Sequence, residues 1–86
     1  MEQLCLVKKQ CYDLGAKNVE IYTCDVRNRE EMSNIILDVD KKDPLDLVIA
    51  NAGVLCNNDG INGTKRVLDI NLHGSLNTVW PILKRM

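Results

Sequence analysis

The chain has 86 residues, room for one small domain, with 45% apolar and 27% charged residues and a net charge of −1. Both shares are those of ordinary globular chains, which excludes a disordered polyelectrolyte. The charge is interspersed, so no basic patch marks nucleic acid or an anionic membrane, and no apolar run nears the ~18 residues of a bilayer span.

The opening Met-Glu-Gln is not the basic start of a secretory leader, which points to the cytoplasm. Cys5, Cys11, Cys24 and Cys56 form no CxxC pair, and His73 is the single histidine. Free thiols in a reducing compartment are therefore expected, and no metal site.

Leu4, Val7, Cys11 and Leu14 recur at spacings of three, four and three, the mark of one helix face, and Gly15 supplies a left-handed stop. The spacing predicts a helix near 2–14. Residues 19–24, Val-Glu-Ile-Tyr-Thr-Cys, are β-branched and aromatic in alternation and predict a strand. Asn28 with Glu31 resembles a capping box, opening a helix near 28–42 whose apolar stripe is Met32, Ile35, Ile36 and Val39. Pro44 ends it by forcing Asp43 out of the α region.

Leu45-Asp46-Leu47-Val48-Ile49-Ala50 is a short apolar run of the kind found in covered parallel strands, which predicts a strand near 46–50. Turn formers crowd residues 57–63 and predict a loop. A last helix near 64–85 follows from Val67, Leu68, Ile70, Leu72, Leu76, Val79, Ile82 and Leu83, with Pro81 disturbing its final turn. The order α-β-α-β-α predicts an α/β layered fold with parallel strands.

Three short patterns carry possible chemistry. Asp25-Val26 ends the first strand, where open α/β sheets bind ligands, although Asp there also caps helices. Asn51-Ala52-Gly53 ends the second, with residues small enough for a flat ligand to approach the backbone. Asn71-Leu72-His73-Gly74 sits inside the last helix, where both Asn and Gly are poor helix formers. His73 lies two residues from Asn71, so it faces elsewhere and carries no expected catalytic role.

In this order, with a helix between each pair, the patterns resemble the short-chain dehydrogenase/reductase family. Ala50-Asn51-Ala52-Gly53 looks like that family's NNAG segment with Ala50 in place of the first Asn, and Trp80-Pro81-Ile82-Leu83-Lys84 resembles its familiar tail. The resemblance covers essentially the whole chain. It implies a partial Rossmann-like, doubly wound unit: residues 1–86 as an incomplete NAD(P)-binding domain of an oxidoreductase. That enzyme would move hydride between NAD or NADP and a small alcohol or carbonyl substrate. Under the resemblance, Asp25 binds the adenine amine with Val26 beside it, and Asn51, Ala52 and Gly53 line the adenosine ribose. Asn71 is the catalytic helix asparagine that holds a relay water, with the helix distorted there to free a backbone carbonyl. The family also implies a homo-oligomer built through the 64–85 helix.

The 86 residues contain no glycine-rich pyrophosphate turn and no Tyr-x-x-x-Lys pair: position 16, four after Tyr12, is Ala, and position 26, four after Tyr22, is Val. Without a tyrosine acid the hydride has no proton partner, so the chain alone is expected to be inert. An alternative is a truncated, non-catalytic relative that docks through its last helix on a full-length homologue. In the doubly wound order the two strands are not neighbours and lie about 14 Å apart. The expectation is therefore either instability or a non-native βαβ pairing of the two.

Overall fold

A computed structural model of the protein describes residues 2–54 and 60–86. Its elements are α1 (Glu2–Asp13), α2 (Arg29–Lys42), α3 (Gly60–Val67), a π-helical segment (Leu68–His73), α4 (Gly74–Val79) and a 3-10 turn (Trp80–Ile82).

Gly15 stops α1 with a φ of 107°. The amides of Gly15 and Ala16 donate to the carbonyls of Tyr12 and Cys11, both at 3.0 Å, closing a Schellman motif. α1 packs against no other helix, so its apolar stripe stays largely open. Asn28 caps α2, its side chain accepting the Glu31 amide at 3.1 Å. The return bond of a capping box goes to the Asn28 side-chain amide instead of its backbone, with Nδ2 to Glu31 Oε2 at 3.2 Å. Asp43 closes α2 in an extended conformation (φ −151°, ψ 109°), as the following Pro44 requires.

The expected α/β unit is not what forms. Residues 19–24 and 46–50 make no strand, and no sheet exists among the described residues. Alternation of β-branched residues encodes a willingness to be extended, whereas a strand also needs a neighbour to complete its ladder. The two segments do not pair with each other, in native or non-native order, and α2 between them docks on α4 and the 3-10 turn. The Rossmann-like description is corrected accordingly to a layer of helices beside irregular segments.

The last helical stretch also begins earlier than its composition predicts. Gly60–Gly63, read as loop, already belongs to α3, with the Thr64 hydroxyl donating to the Gly60 carbonyl at 3.2 Å. Extending an existing helix by one turn costs less than its turn-forming composition suggests, because nucleation is the expensive step. The rest of the expected loop, 57–59, lies outside the described residues, as does Cys56.

The molecule is an open slab of 44 × 32 × 18 Å. Its accessible surface is 7064 Å², against about 5100 Å² for a compact monomer of its mass. Ile82, at 1% exposure, is the single fully buried apolar residue among those described, while Leu47 and Ile49 are each 72% exposed. Exposed apolar surface of this extent is typical of interaction faces, ligand grooves and aggregation-prone segments.

One buried polar cluster braces the slab. Asp40, its side chain 10% exposed, accepts the Leu45 amide at 2.8 Å and the Arg85 Nε at 2.6 Å, and Arg85 also donates to the Leu45 carbonyl. The Leu45 amide first, and then the Arg85 guanidinium, hold the Asp40 carboxyl below the ordinary carboxylate range. A depressed folded pKa contributes stability that is complete above the unfolded value and lost as pH falls through the folded one. Asp40→Asn should therefore lower Tm at neutral pH. Its deficit against the unaltered protein should shrink below about pH 4. Thermal melts at a series of pH values read both effects, and a pH-independent deficit would contradict the role.

Candidate functional site

All three sequence patterns converge on the last helical stretch. Asp25, Val26, Arg27 and Asn28 form a tight turn, the Asn28 amide donating to the Asp25 carbonyl at 2.9 Å. Within it the Arg27 amide donates to Asp25 Oδ1 at 2.9 Å, an Asx-turn. The Arg27 guanidinium covers the same carboxylate, with Nε at 3.0 and 3.1 Å from its two oxygens and one terminal nitrogen at 2.6 Å. Those side-chain and backbone bonds from Arg27 pull the Asp25 carboxyl down to about 2, so it is ionised at any working pH. The pair is half-exposed, and its strength is tempered by water.

Val26 is the residue by which this turn meets the helix. Its side chain lies on Gly74, where an added Cβ would sit 2.7 Å from Val26 Cγ2. Its carbonyl accepts a bond from Asn77 Nδ2 at 2.9 Å. Gly74 and Asn77 are three apart and so share one helix side.

The second turn, Asn51-Ala52-Gly53, is exposed and is held through the next residue. Asn71 Oδ1 accepts the Val54 amide at 2.7 Å, and Asn71 Nδ2 donates to the Val54 carbonyl at 2.9 Å. One side chain thus satisfies both backbone groups of Val54, as a paired strand residue would. Gly53 eases the approach, since a Cβ there would lie a tight 3.3 Å from Asn71 Oδ1.

Asn71 lies in the π-helical segment, whose closing bond runs from the Gly74 amide to the Asp69 carbonyl five residues back. An inserted residue of this kind re-aims side chains along an otherwise regular helix and recurs at functional sites. The distortion expected around Asn71 is therefore present, but the Asn71 carbonyl is not bare: the Ser75 hydroxyl donates to it at 2.8 Å. From Asn71 to Asn77 is about 9 Å along a helix axis. Within that distance the helix grips both turns.

Other candidates stay outside this site. His73 points to solvent and pairs with Asp69, four residues earlier, at 3.3 Å. Burial first, and then the charge of Glu31, push the Cys24 thiol up, the opposite of an activated nucleophile. The Tyr22 hydroxyl donates to Glu20 at 2.9 Å, and that bond raises its pKa, so it is no proton donor of the lowered kind. No cluster of metal-ligating side chains exists among the described residues. An open groove between α2 and α4 is lined by Arg27, Arg29, Glu30, His73 and Trp80 among others, but by none of Asp25, Val26, Asn51, Ala52, Gly53 or Asn71.

Sequence reasoning misses Arg27, Asn77 and Val54 in this constellation. Asn77 is 9% exposed inside an apolar helix face, and a buried amide at such a position always needs a partner. The signal was legible as a polar residue among Leu76, Val79 and Ile82. Val54 could not be found, because it contributes only its backbone.

Two turns are thus held against one distorted helical stretch. The profile of the family described as short chain dehydrogenase matches residues 1–86, and the chain belongs to that family. No curated protein and no solved structure matches it. The family is one of oxidoreductases that use a nicotinamide cofactor. No helix among the described residues is long and apolar enough to cross a membrane.

Proposed function

We propose that residues 1–86 form the adenosine-side part of an NAD(P)-dependent oxidoreductase that acts on a small alcohol or carbonyl compound, and that they do no chemistry by themselves. The observation that carries this reading is the two-point bond of Asn71 to Val54 within the π-helical segment. It ties the Asn51-Ala52-Gly53 turn to the helix that also holds Asp25 and Val26.

The residues fit one end of a dinucleotide. Asp25 is a half-exposed, ionised carboxylate that would accept from an exocyclic amine once the Arg27 side chain yields one of its contacts. Val26, packed on Gly74, offers an apolar edge for the adenine ring. Asn51, Ala52 and Gly53 are exposed and small enough for a ribose to approach their backbone. Asn71, in the π-helical segment, would help hold a water for proton transfer, the role that the family resemblance gives it. When bound, the cofactor supplies the hydride acceptor or donor. Support for oligomer formation comes from Leu68, Leu72, Leu76, Trp80 and Leu83, an exposed stripe at spacings of three and four on the last helical stretch.

The test is turnover. Protein expressed from the complete reading frame should reduce NAD or NADP in the presence of some member of a panel of primary and secondary alcohols, or oxidise the reduced cofactor with the matching carbonyls. Absence of turnover with every pair, in folded protein that binds neither cofactor, would refute the proposal.

A further inference from the structure

We infer that Asn77 is a positioning residue for the Asp25–Val26 turn, setting the direction of the Asp25 carboxylate from six residues beyond Asn71. The inference rests on the reading above, that this turn meets the adenine end of a cofactor. Asn77 donates through Nδ2 to the Val26 carbonyl at 2.9 Å, bridging 51 residues of sequence. That carbonyl shares a planar peptide group with the Arg27 amide, and in a trans peptide the two point in opposite directions. The Arg27 amide is the group that donates to Asp25 Oδ1 at 2.9 Å. Fixing one end of the peptide therefore fixes the other, and with it the oxygen of Asp25 that the amide holds.

A second contact removes the remaining freedom. Val26 rests on Gly74 so closely that a Cβ there would come within 2.7 Å of Cγ2. Val26 is thus held by its side chain at Gly74 and by its carbonyl at Asn77, one turn apart on the helix. The cost of keeping a polar amide at 9% exposure in a helix is otherwise unexplained, since Asn is a mediocre helix former and no other side chain in the α4 region bonds this turn.

The experiment uses the complete protein and the isosteric variant Asn77→Asp, which keeps the shape but turns the donor into a carboxylate facing the Val26 carbonyl. Two quantities are measured: competition by adenosine monophosphate and by nicotinamide mononucleotide against bound NADH or NADPH, and amide hydrogen exchange at residues 26–28 without nucleotide. The expected result is about a tenfold weaker binding of adenosine monophosphate, the loss of one buried hydrogen bond. Nicotinamide mononucleotide should stay within about twofold, and exchange at residues 26–28 should quicken. Asn77→Leu, similar in volume and without a donor, serves where the carboxylate does not fold. Equal weakening of both mononucleotides would mean a merely structural role and would overturn the inference, as would unchanged exchange at the turn. Failure of the unaltered protein to bind any nucleotide would instead sink the functional reading and the adenine part of the inference with it. Exchange alone then decides whether Asn77 holds the turn.

Discussion

Asn71→Leu should destabilise the protein by about 2–3 kcal/mol, because it strips both backbone groups of Val54 of their partner at once. The upper range for two lost bonds does not apply, since Val54 is half-buried and water reaches it in part. Against a total stability of about 5–15 kcal/mol that is a large share. On the reading proposed above, the same change in the complete protein should lower kcat by about 100-fold, the cost of letting a site shift by about 1 Å once the bonds that fix its turn are lost. Asn71→Asp separates the two effects. It keeps an acceptor for the Val54 amide but sets a carboxylate against the Val54 carbonyl, so its stability loss should be the larger. Denaturant melts and steady-state kinetics read both. Full stability in Asn71→Leu would mean that the two bonds do not hold the turn.

Gly74→Ala should also destabilise, by about 1–2 kcal/mol, although alanine is the better helix former by about 1 kcal/mol. The sign is decided by Val26, whose Cγ2 would lie 2.7 Å and whose Cβ would lie 3.2 Å from the new methyl. A β-branched side chain has few rotamers in which to retreat. The backbone of the Asp25–Asn28 turn must then move, so cofactor affinity should fall along with Tm. Val26→Ala in the same chain removes the clash, and the double variant should recover most of the loss. Additive penalties in that double-mutant cycle would contradict the contact.

The sequence was most readable where structure is local. Gly15 and its Schellman bonds, Asn28 with Glu31, and Asp43 before Pro44 are each governed by residues within one helical turn, and each stands where spacing puts it. Residues 19–24 and 46–50 depart from expectation for the opposite reason. The alternation of 19–24 and the apolar run of 46–50 are real, but a ladder is a property of two segments, and neither finds its neighbour among the described residues. The open slab and the exposed Leu47 and Ile49 are the same fact seen as surface.

The site divides in the same manner. Asp25, Val26, Gly53, Asn71 and Gly74 could be named from motif order, and the helix does gather them. What motif order could not give is who touches whom. That Asn71 reaches the backbone of Val54, that Arg27 covers Asp25, and that Asn77 and Arg85 cross 51 and 45 residues to their partners are outcomes of packing. The exposed carboxylate of Asp25 illustrates the difference: its position is in the sequence, its direction is set by Arg27 and by the peptide that Asn77 holds.

The most direct test of the account is a titration of NADH and NADPH, followed by cofactor fluorescence, into the protein made from its complete reading frame and into the 86-residue chain alone. Saturable binding to the complete protein, weakened by Asp25→Ala and absent from the 86 residues, is the predicted result. No saturable binding of either cofactor to the complete protein would contradict the assignment of Asp25, Val26, Asn51, Ala52 and Gly53 to a cofactor site.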